Sequence, residues 1–464
     1  MASSSARTAR KNLAPQKKRA EPSRDLEDQN ILVKDANIWT GHGFTRGSIF
    51  IEEGKIKKTS RRTDAANHES IDASGLYALP GLIDVHVHLR DMGLAYKEDF
   101  ATGTAAAAAG GFTTVLDMPN TLPPTDTPRR LVEKEREASK KARVNVGFHA
   151  AAVPDAKTTQ ALARAGAFSL KLYMPKPIAP LNVEDDAQIR QLMNGARKAR
   201  IPVTVHAEYI VSRKETPATD SFRRLADARL PIFETRAVER ILRIQRQTGC
   251  KVHFCHLTLK SSLDKIAAES SSVTSEVTPH HLWLSHRVLE KVGWKAWMVP
   301  PLRSEAERRR LLSATCSGAS DVVASDHAPH TVGEKEREPG NSPPGVPGLE
   351  TELPLMLTLV SKGTLNLSLL IKLLADNPAR IFGLWSKAKL RPGYDGDVIL
   401  VDLKKRSRID SNKFFSKAKF SPFDGMPTKG ALVSTIVSGR LIYHDGEILG
   451  REGCGPVLRS NFSN

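Results

Sequence analysis

Cysteine is scarce in this chain of 464 residues: there are four, in neither metal-finger nor disulfide-framework spacing. That excludes a small cross-linked scaffold and points to a reducing compartment, the cytoplasm. Long apolar runs are missing too, so no segment reads as a membrane span and no signal-peptide core follows the start. Acids are absent from the first twenty residues, which carry six positive charges, and the formal net charge of +18 therefore leaves +12 on the rest. So diffuse an excess does not make a nucleic-acid-binding face, but it suits a small anionic substrate. Residues 1–29 lack hydrophobic periodicity and read as a disordered basic arm, with an organelle transit peptide as the alternative. The remainder has the composition of a soluble globular protein, 40% hydrophobic and 26% charged, and is long enough to bury a large core.

Short strands open and close the chain. ILVKDANIW from Ile31 is followed by SIFIEEGKIKK from Ser48, with a turn at Glu53-Gly54; GDVILVDL from Gly396 is followed by ALVSTIVSGRLIYHDGEIL from Ala431, with turns at Ser438-Gly439 and Asp445-Gly446. These ends, residues 30–75 and 388–455, are read as one small β-sandwich domain. Between them, over residues 76–387, eight strand signals begin with LIDVHVHLR (Leu82 to Arg90) and continue at Thr113–Pro119, Val144–Ala151, Phe168–Met174, Pro202–Glu208, Lys251–Leu257, Ser272–Pro279 and Asp321–His327. Helical segments such as Lys97–Ala109, Phe233–Gln247 and Glu305–Leu312 separate them. The pattern predicts an α/β protein whose catalytic domain is a (β/α)8 TIM-like barrel, with its chemistry at the carboxyl ends of the strands.

Polar residues gather at those ends. Side chains alternate along a strand, so Asp84, His86 and His88 share one face, and Arg90, two residues on, shares their parity. The histidine pair alone serves equally well as a metal site or as hydrogen-bonded core residues. The fourth strand ends in Lys171, the fifth in His206, the sixth in His256 and the eighth in Asp326. Any one of these is more readily a satisfied core group, but six at one rim favour a reactive centre. Lys171 is the least expected, because an unpaired ammonium inside a barrel is costly and worse beside metal cations. Carboxylation by carbon dioxide removes both objections. The resulting carbamate can bridge two divalent ions, His86, His88 and Asp326 on one, His206 and His256 on the other; imidazole and carboxylate ligands favour zinc.

The ordered set HVHLR, GFTTVLDMPNTLPP, SLKLYM, VHAE, FCHLTLK, EVTPHHLWLS, ASDHAPHT and PPGVPGLE, spanning about residues 30 to 450, resembles the dihydroorotase family of the amidohydrolase superfamily. The lysine at position 171 is similar to the dihydroorotase domain of the animal multifunctional pyrimidine protein. The resemblance implies a hydrolase acting on cyclic amides that interconverts N-carbamoyl-L-aspartate and L-dihydroorotate in de novo pyrimidine synthesis. It implies that Arg90, Asn120 and His330 hold the substrate carboxylate, that backbone near Pro347 and Gly348 meets the ring, and that Asp326 shuttles the proton. Cys255, Glu276 and His281 match positions where an additional metal has been proposed, while Cys255 also reads as a small buried residue. It further points to a homo-oligomer, a dimer, and to association with aspartate carbamoyltransferase. Two departures stand out: Asp91-Met92 replaces the usual Glu-Pro, and Pro175-Lys176-Pro177-Ile178 lacks the Thr-Phe pair of the animal form. The alternatives are a related cyclic amidohydrolase, either an allantoinase or a dihydropyrimidinase or hydantoinase, and a non-catalytic assembly partner.

Overall fold

The computed structural model describes residues 30–61, 69–209, 219 and 221–460. The basic arm and the transit-peptide alternative lie outside the described residues. From the first end come strands Ile31–Trp39, Phe44–Glu52, Lys55–Ser60, Glu69–Asp72 and Tyr77–Pro80; from the last come Val398–Arg408, Pro427–Val437, Arg440–His444 and Glu447–Ile448. All nine share one sheet. The seam between the ends is antiparallel, with Val398 opposite Pro80 and Val401 opposite Tyr77. Tyr77–Pro80 thus belongs to the terminal sheet although it falls within 76–387, because its hydrogen bonds run to Val398–Val401 and to Asn37–Ile38.

Barrel geometry begins one residue later. Gly81 lets the backbone pass from sheet to barrel against Thr113, whose Oγ1 would lie 2.1 Å from any Cβ there. The barrel strands are Leu82–Val87, Phe112–Asp117, Asn145–Phe148 continued by Ala150–Ala151, Leu170–Tyr173, Val203–His206, Val252–Phe254, Val273–Val277 and Val322–Val323. They are parallel, and Val87 bridges His327 to close the ring, with the His88 N–H donating to the His327 carbonyl at 2.8 Å. The third strand breaks at His149, whose Nε2 meets the Val85 carbonyl at 2.9 Å while Nδ1 meets Ser169 Oγ at 2.6 Å.

Helices form where caps allow. Phe100–Ala109 starts at Asp99, which accepts from the Thr102 N–H in a capping box, and stops at Gly110-Gly111, where Gly111 has φ 84°. Pro231–Thr248 starts on proline and ends at left-handed Gly249. Among the described residues, no helix is long and apolar enough to cross a membrane.

The terminal sheet is tied to the barrel through Asp397. Its carboxylate takes the Asn145 amide at 3.0 Å and the Lys387 ammonium at 2.7 Å on Oδ2, and the Ser438 N–H at 2.8 Å on Oδ1. Lys387 and Asp397 are both buried. Removing one member of a buried pair strands the other's charge. Asp397→Ala should therefore cost about 3 kcal/mol in urea unfolding, whereas the exposed pair Lys260–Asp264 should tolerate Asp264→Ala with a loss under about 1 kcal/mol. Equal effects at the two positions would show that Asp397 does not join the sheet to the barrel.

Candidate active site

A cavity of about 470 Å³ opens at the carboxyl ends of the strands, lined by His86, His88, Lys171, His206, His256 and Asp326 on its floor. All six sequence-predicted polar residues meet there. His256 and Asp326 sit just past their strands with φ 35° and 44°, a left-handed turn that a side-chain-bearing residue adopts only when its surroundings enforce it.

The rings are oriented from behind. His86 Nδ1 lies 2.7 Å from Glu276 Oε1, His88 Nδ1 lies 2.6 Å from Asn120 Oδ1, and His206 Nε2 lies 3.1 Å from Glu208 Oε2. Each oxygen takes a ring N–H and turns the opposite nitrogen inward. Those nitrogens meet acceptors or each other. His86 Nε2 and His88 Nε2 lie 3.3 Å and 3.1 Å from the same oxygen of Asp326, and His206 Nδ1 lies 2.9 Å from His256 Nε2. The other nitrogen of buried His256, Nδ1, has no hydrogen-bond partner among the described residues.

Lys171 is buried, and among the described residues it makes no ion pair with a carboxylate; its Nζ lies 3.5 Å from His86 Nε2 and 3.1 Å from Cys255 Sγ. An ammonium with no counter-ion, facing imidazole nitrogens, is a poor arrangement for that functional group. The donor set of imidazoles and a carboxylate beside that amine fits divalent metal. Among the described residues, two groups have ligand atoms close enough for an ion: His86, His256 and Asp326, and His86, Cys255 and Glu276. In the second, Glu276 also accepts the His256 N–H at 3.0 Å and approaches His253 at 3.3 Å. His281 has both ring nitrogens engaged, with Thr278 Oγ1 at 2.7 Å and the Pro300 carbonyl at 3.0 Å.

The opposite wall carries Arg90, Asn120 and His330. Arg90 does not continue the strand's alternation. The strand ends at Val87, and Arg90, Asp91 and Met92 have φ of 59°, 41° and 49°. This left-handed run is held by the Leu89 N–H on Asp117 at 2.7 Å and by the Asp91 carboxylate, which takes the Phe100 N–H at 2.9 Å and Lys141 at 3.1 Å. The departure at Asp91 is thus an anchor of the loop. From the later glycine-rich loop it is Pro344 and Gly345 that line the cavity; Gly348 sits behind them, its N–H donating to His327 Nδ1 at 3.2 Å. Pro347 and Gly348, expected to meet the ring through their backbone, lie two and three residues beyond Gly345 in the same loop. Lys176, Pro177 and Ile178 of the other departing loop also border the cavity.

Sequence reasoning missed Arg229, which chelates Glu208 with Nε at 3.0 Å, and Lys97, which reaches His330 at 3.2 Å. Neither has a local signal, since Arg229 reads as a helix-end cation and Lys97 as the start of a helix.

Comparisons with known proteins agree with this geometry. A family model described as the amidohydrolase family matches residues 77–442. A dihydroorotase of Methanothermobacter thermautotrophicus is 41% identical over 418 residues, covering 89% of this chain and 94% of its own. An L-hydantoinase of Paenarthrobacter aurescens is 31% identical over 452 residues, covering 93% and 99%. Among solved structures, L-hydantoinase (dihydropyrimidinase) from Arthrobacter aurescens aligns with a TM-score of 0.88 at 30% identity over 93% of this chain and 100% of its own.

Burial, with the charge of Arg90 added, pushes His88 down to about 4, and burial likewise carries His206 down to about 4. Unfolded histidines titrate near 6.5. The unfolded chain therefore binds more protons between these values, so this contribution is complete above pH ~6.5 and is lost as pH falls toward ~4. Metal-stripped protein should lose roughly 1 to 3 kcal/mol over that window in urea titrations, and His206→Asn should flatten part of the slope. A midpoint that does not move between pH 6.5 and 4.5 would contradict neutral, buried rings.

Proposed function

We propose that this chain, which belongs to the amidohydrolase family and is a hydrolase of cyclic amides, interconverts N-carbamoyl-L-aspartate and L-dihydroorotate, a step of de novo pyrimidine synthesis. One observation carries the choice within the family: on the wall facing the imidazole cluster, the Arg90 guanidinium and the His330 ring approach to 3.2 Å beside Asn120. That clusters hydrogen-bond donors where a ring carboxylate would lie, and a guanidinium fork suits a carboxylate. The dihydroorotase at 41% identity supports the same choice.

In this reading His86, His88 and Asp326 would hold one zinc ion and His206 and His256 a second, with N-carboxylated Lys171 as a further ligand. When bound, the ions supply Lewis acidity to water and to the ring amide carbonyl. The protein's own residues do the rest. Glu276, Asn120 and Glu208 fix the rings. Arg90, Asn120 and His330 bind and orient the carboxylate so that the amide carbon faces Asp326. Asp326, whose carboxylate stays ionised well below its usual range because the surrounding histidines outweigh its burial, takes the proton of the attacking water at Oδ1 and returns it to the leaving ring nitrogen. Met118 and Val299 on the wall, with Ile178 on the loop, exclude bulk water. Cys255 and Glu276 act as supports for Lys171 and His86 in this scheme, and no third ion is invoked. The domain division into a catalytic barrel over 76–387 and a β domain from both ends goes with it, as do a homodimer, association with aspartate carbamoyltransferase and a cytoplasmic setting suited to four free thiols.

A second reading, hydantoinase or dihydropyrimidinase, is favoured by the 0.88 TM-score to a hydantoinase. The two separate on charge. Arg90→Met should lower kcat/KM for dihydroorotate about 10- to 100-fold, since one charge-assisted bond is worth roughly 1.5 to 3 kcal/mol, with metal content retained and a much smaller change on uncharged dihydrouracil. A native enzyme that hydrolyses dihydrouracil or hydantoin better than dihydroorotate overturns the assignment. Lys171→Ala should lose metal and activity together, and intact-mass or high-resolution density measurements should find a carboxylated native lysine.

A further inference from the structure

His330 is gripped from both sides by one loop, the segment between the first barrel strand and the helix Phe100–Ala109. On the cavity side, Arg90 Nη2 and the Pro344 carbonyl each lie 3.2 Å from His330 Nε2. On the far side, Lys97 Nζ lies 3.2 Å from His330 Nδ1 and 2.9 Å from Glu334 Oε1. Glu334 is itself fixed: Tyr96 donates to Oε1 at 3.1 Å and the Thr331 N–H to Oε2 at 3.2 Å, closing a capping box. The Lys97 and Glu334 side chains are only 12% and 14% exposed, so this is an ordered pair.

The hydrogen-bond inventory of these groups decides the proton on the ring. An ammonium has three donors and no acceptor, so Lys97 can bond His330 Nδ1 only if that nitrogen carries a lone pair. The proton then sits on Nε2, toward the Pro344 carbonyl and the cavity. A guanidinium also lacks an acceptor, so Arg90 and the Nε2–H are two donors at one edge of the cavity, the latter's single hydrogen shared between the Pro344 carbonyl and an oxygen placed there. Two converging donors leave a place for an anionic oxygen. In the opposite tautomer Nδ1–H would point at the Lys97 ammonium, Nε2 would accept from Arg90, and one donor to the anion would vanish. Burial, with Arg90 and Lys97 on either side, holds the imidazole well below its ordinary range, so it is neutral and the tautomer matters.

We propose that Lys97, clamped by Glu334, is a positioning residue that fixes His330 as its Nε2–H tautomer and thereby completes the carboxylate-binding wall. The proposal rests on the carboxylate role given to that wall under Proposed function.

Two measurements test it. Long-range proton–nitrogen spectra of histidine-labelled protein, with His330 assigned through His330→Asn, should show a protonated Nε2 and a bare Nδ1. In Lys97→Met the ring should change tautomer or become a mixture, and in Lys97→Arg, which keeps a donor, the native pattern should return. An Nδ1-protonated ring in the native protein, or an unaltered pattern in Lys97→Met, overturns the proposal. Kinetically, Lys97→Met should raise KM for dihydroorotate about 10-fold with a much smaller change in kcat and little effect on dihydrouracil. Equal losses on both substrates would mark Lys97 as merely structural and also overturn it. Should Lys97→Met not fold, Glu334→Gln removes the clamp's charge and should weaken the same tautomer preference; an unchanged spectrum there counts against the proposal. If dihydroorotate proves not to be the preferred substrate, the function assignment fails on that ground alone, while the spectra still decide the tautomer.

Discussion

A lysine ammonium in the middle of a buried imidazole cluster is the constraint on which the rest of this site depends. Lys171 has no carboxylate partner among the described residues; its Nζ lies 3.5 Å from His86 Nε2, the nitrogen that Asp326 approaches at 3.3 Å while also lying 3.1 Å from His88. A barrel interior cannot host that charge distribution at low cost, because separated buried charges are penalised by several kcal/mol each. Under the proposed function, turning the amine into an anion and adding cations would relieve that cost.

Around it the protein has arranged a second layer whose work is to remove freedom. Glu276, Asn120 and Glu208 each occupy the outward nitrogen of a ring, and Arg229 in turn holds Glu208, whose carboxyl lies down at about 2 because Arg229 and His206 outweigh its burial. A ring fixed at one nitrogen presents the other with a defined direction. Asn120 takes part in both halves of the site: its oxygen serves His88, and its amide hydrogens remain for the cavity. Metal-side order and substrate-side order are thus linked through one side chain.

The parts legible in the sequence are those fixed by local periodicity. Period-two alternation places His86, His88 and Lys171 on inward faces, and turn residues mark the strand ends, so the eight strands and the pairing of the two chain ends could be read without coordinates. Residues joined across the fold could not. Glu276 is 190 positions from His86, and nothing near either announces the contact. The path of Arg90 was misread for a related reason. Strand parity does not extend beyond Val87: the chain turns left-handed there, with the Leu89 N–H captured by Asp117 and the Asp91 carboxylate held by the Phe100 N–H and Lys141, and such contacts are tertiary. Tyr77–Pro80 shows the same limit: its apolar residues suit either sheet, and only the partner strand at Val398–Val401 decides which.

Specificity within this fold follows from where rigidity is placed. The floor of the cavity is carried by strand ends, whose positions are set by a closed ring of hydrogen bonds and change little with sequence. The carboxylate wall is carried by a loop instead, and a loop holds a guanidinium in place only if it is anchored. Here the anchors are charged: Asp117 pairs with Lys134 at 2.6 Å, both buried, Asp91 with half-buried Lys141 at 3.1 Å, and Lys97 with Glu334 at 2.9 Å. Under the proposed function, how firmly that loop is held is what would separate an enzyme for an anionic ring from one for a neutral ring, because the guanidinium it carries is the group that would meet the carboxylate.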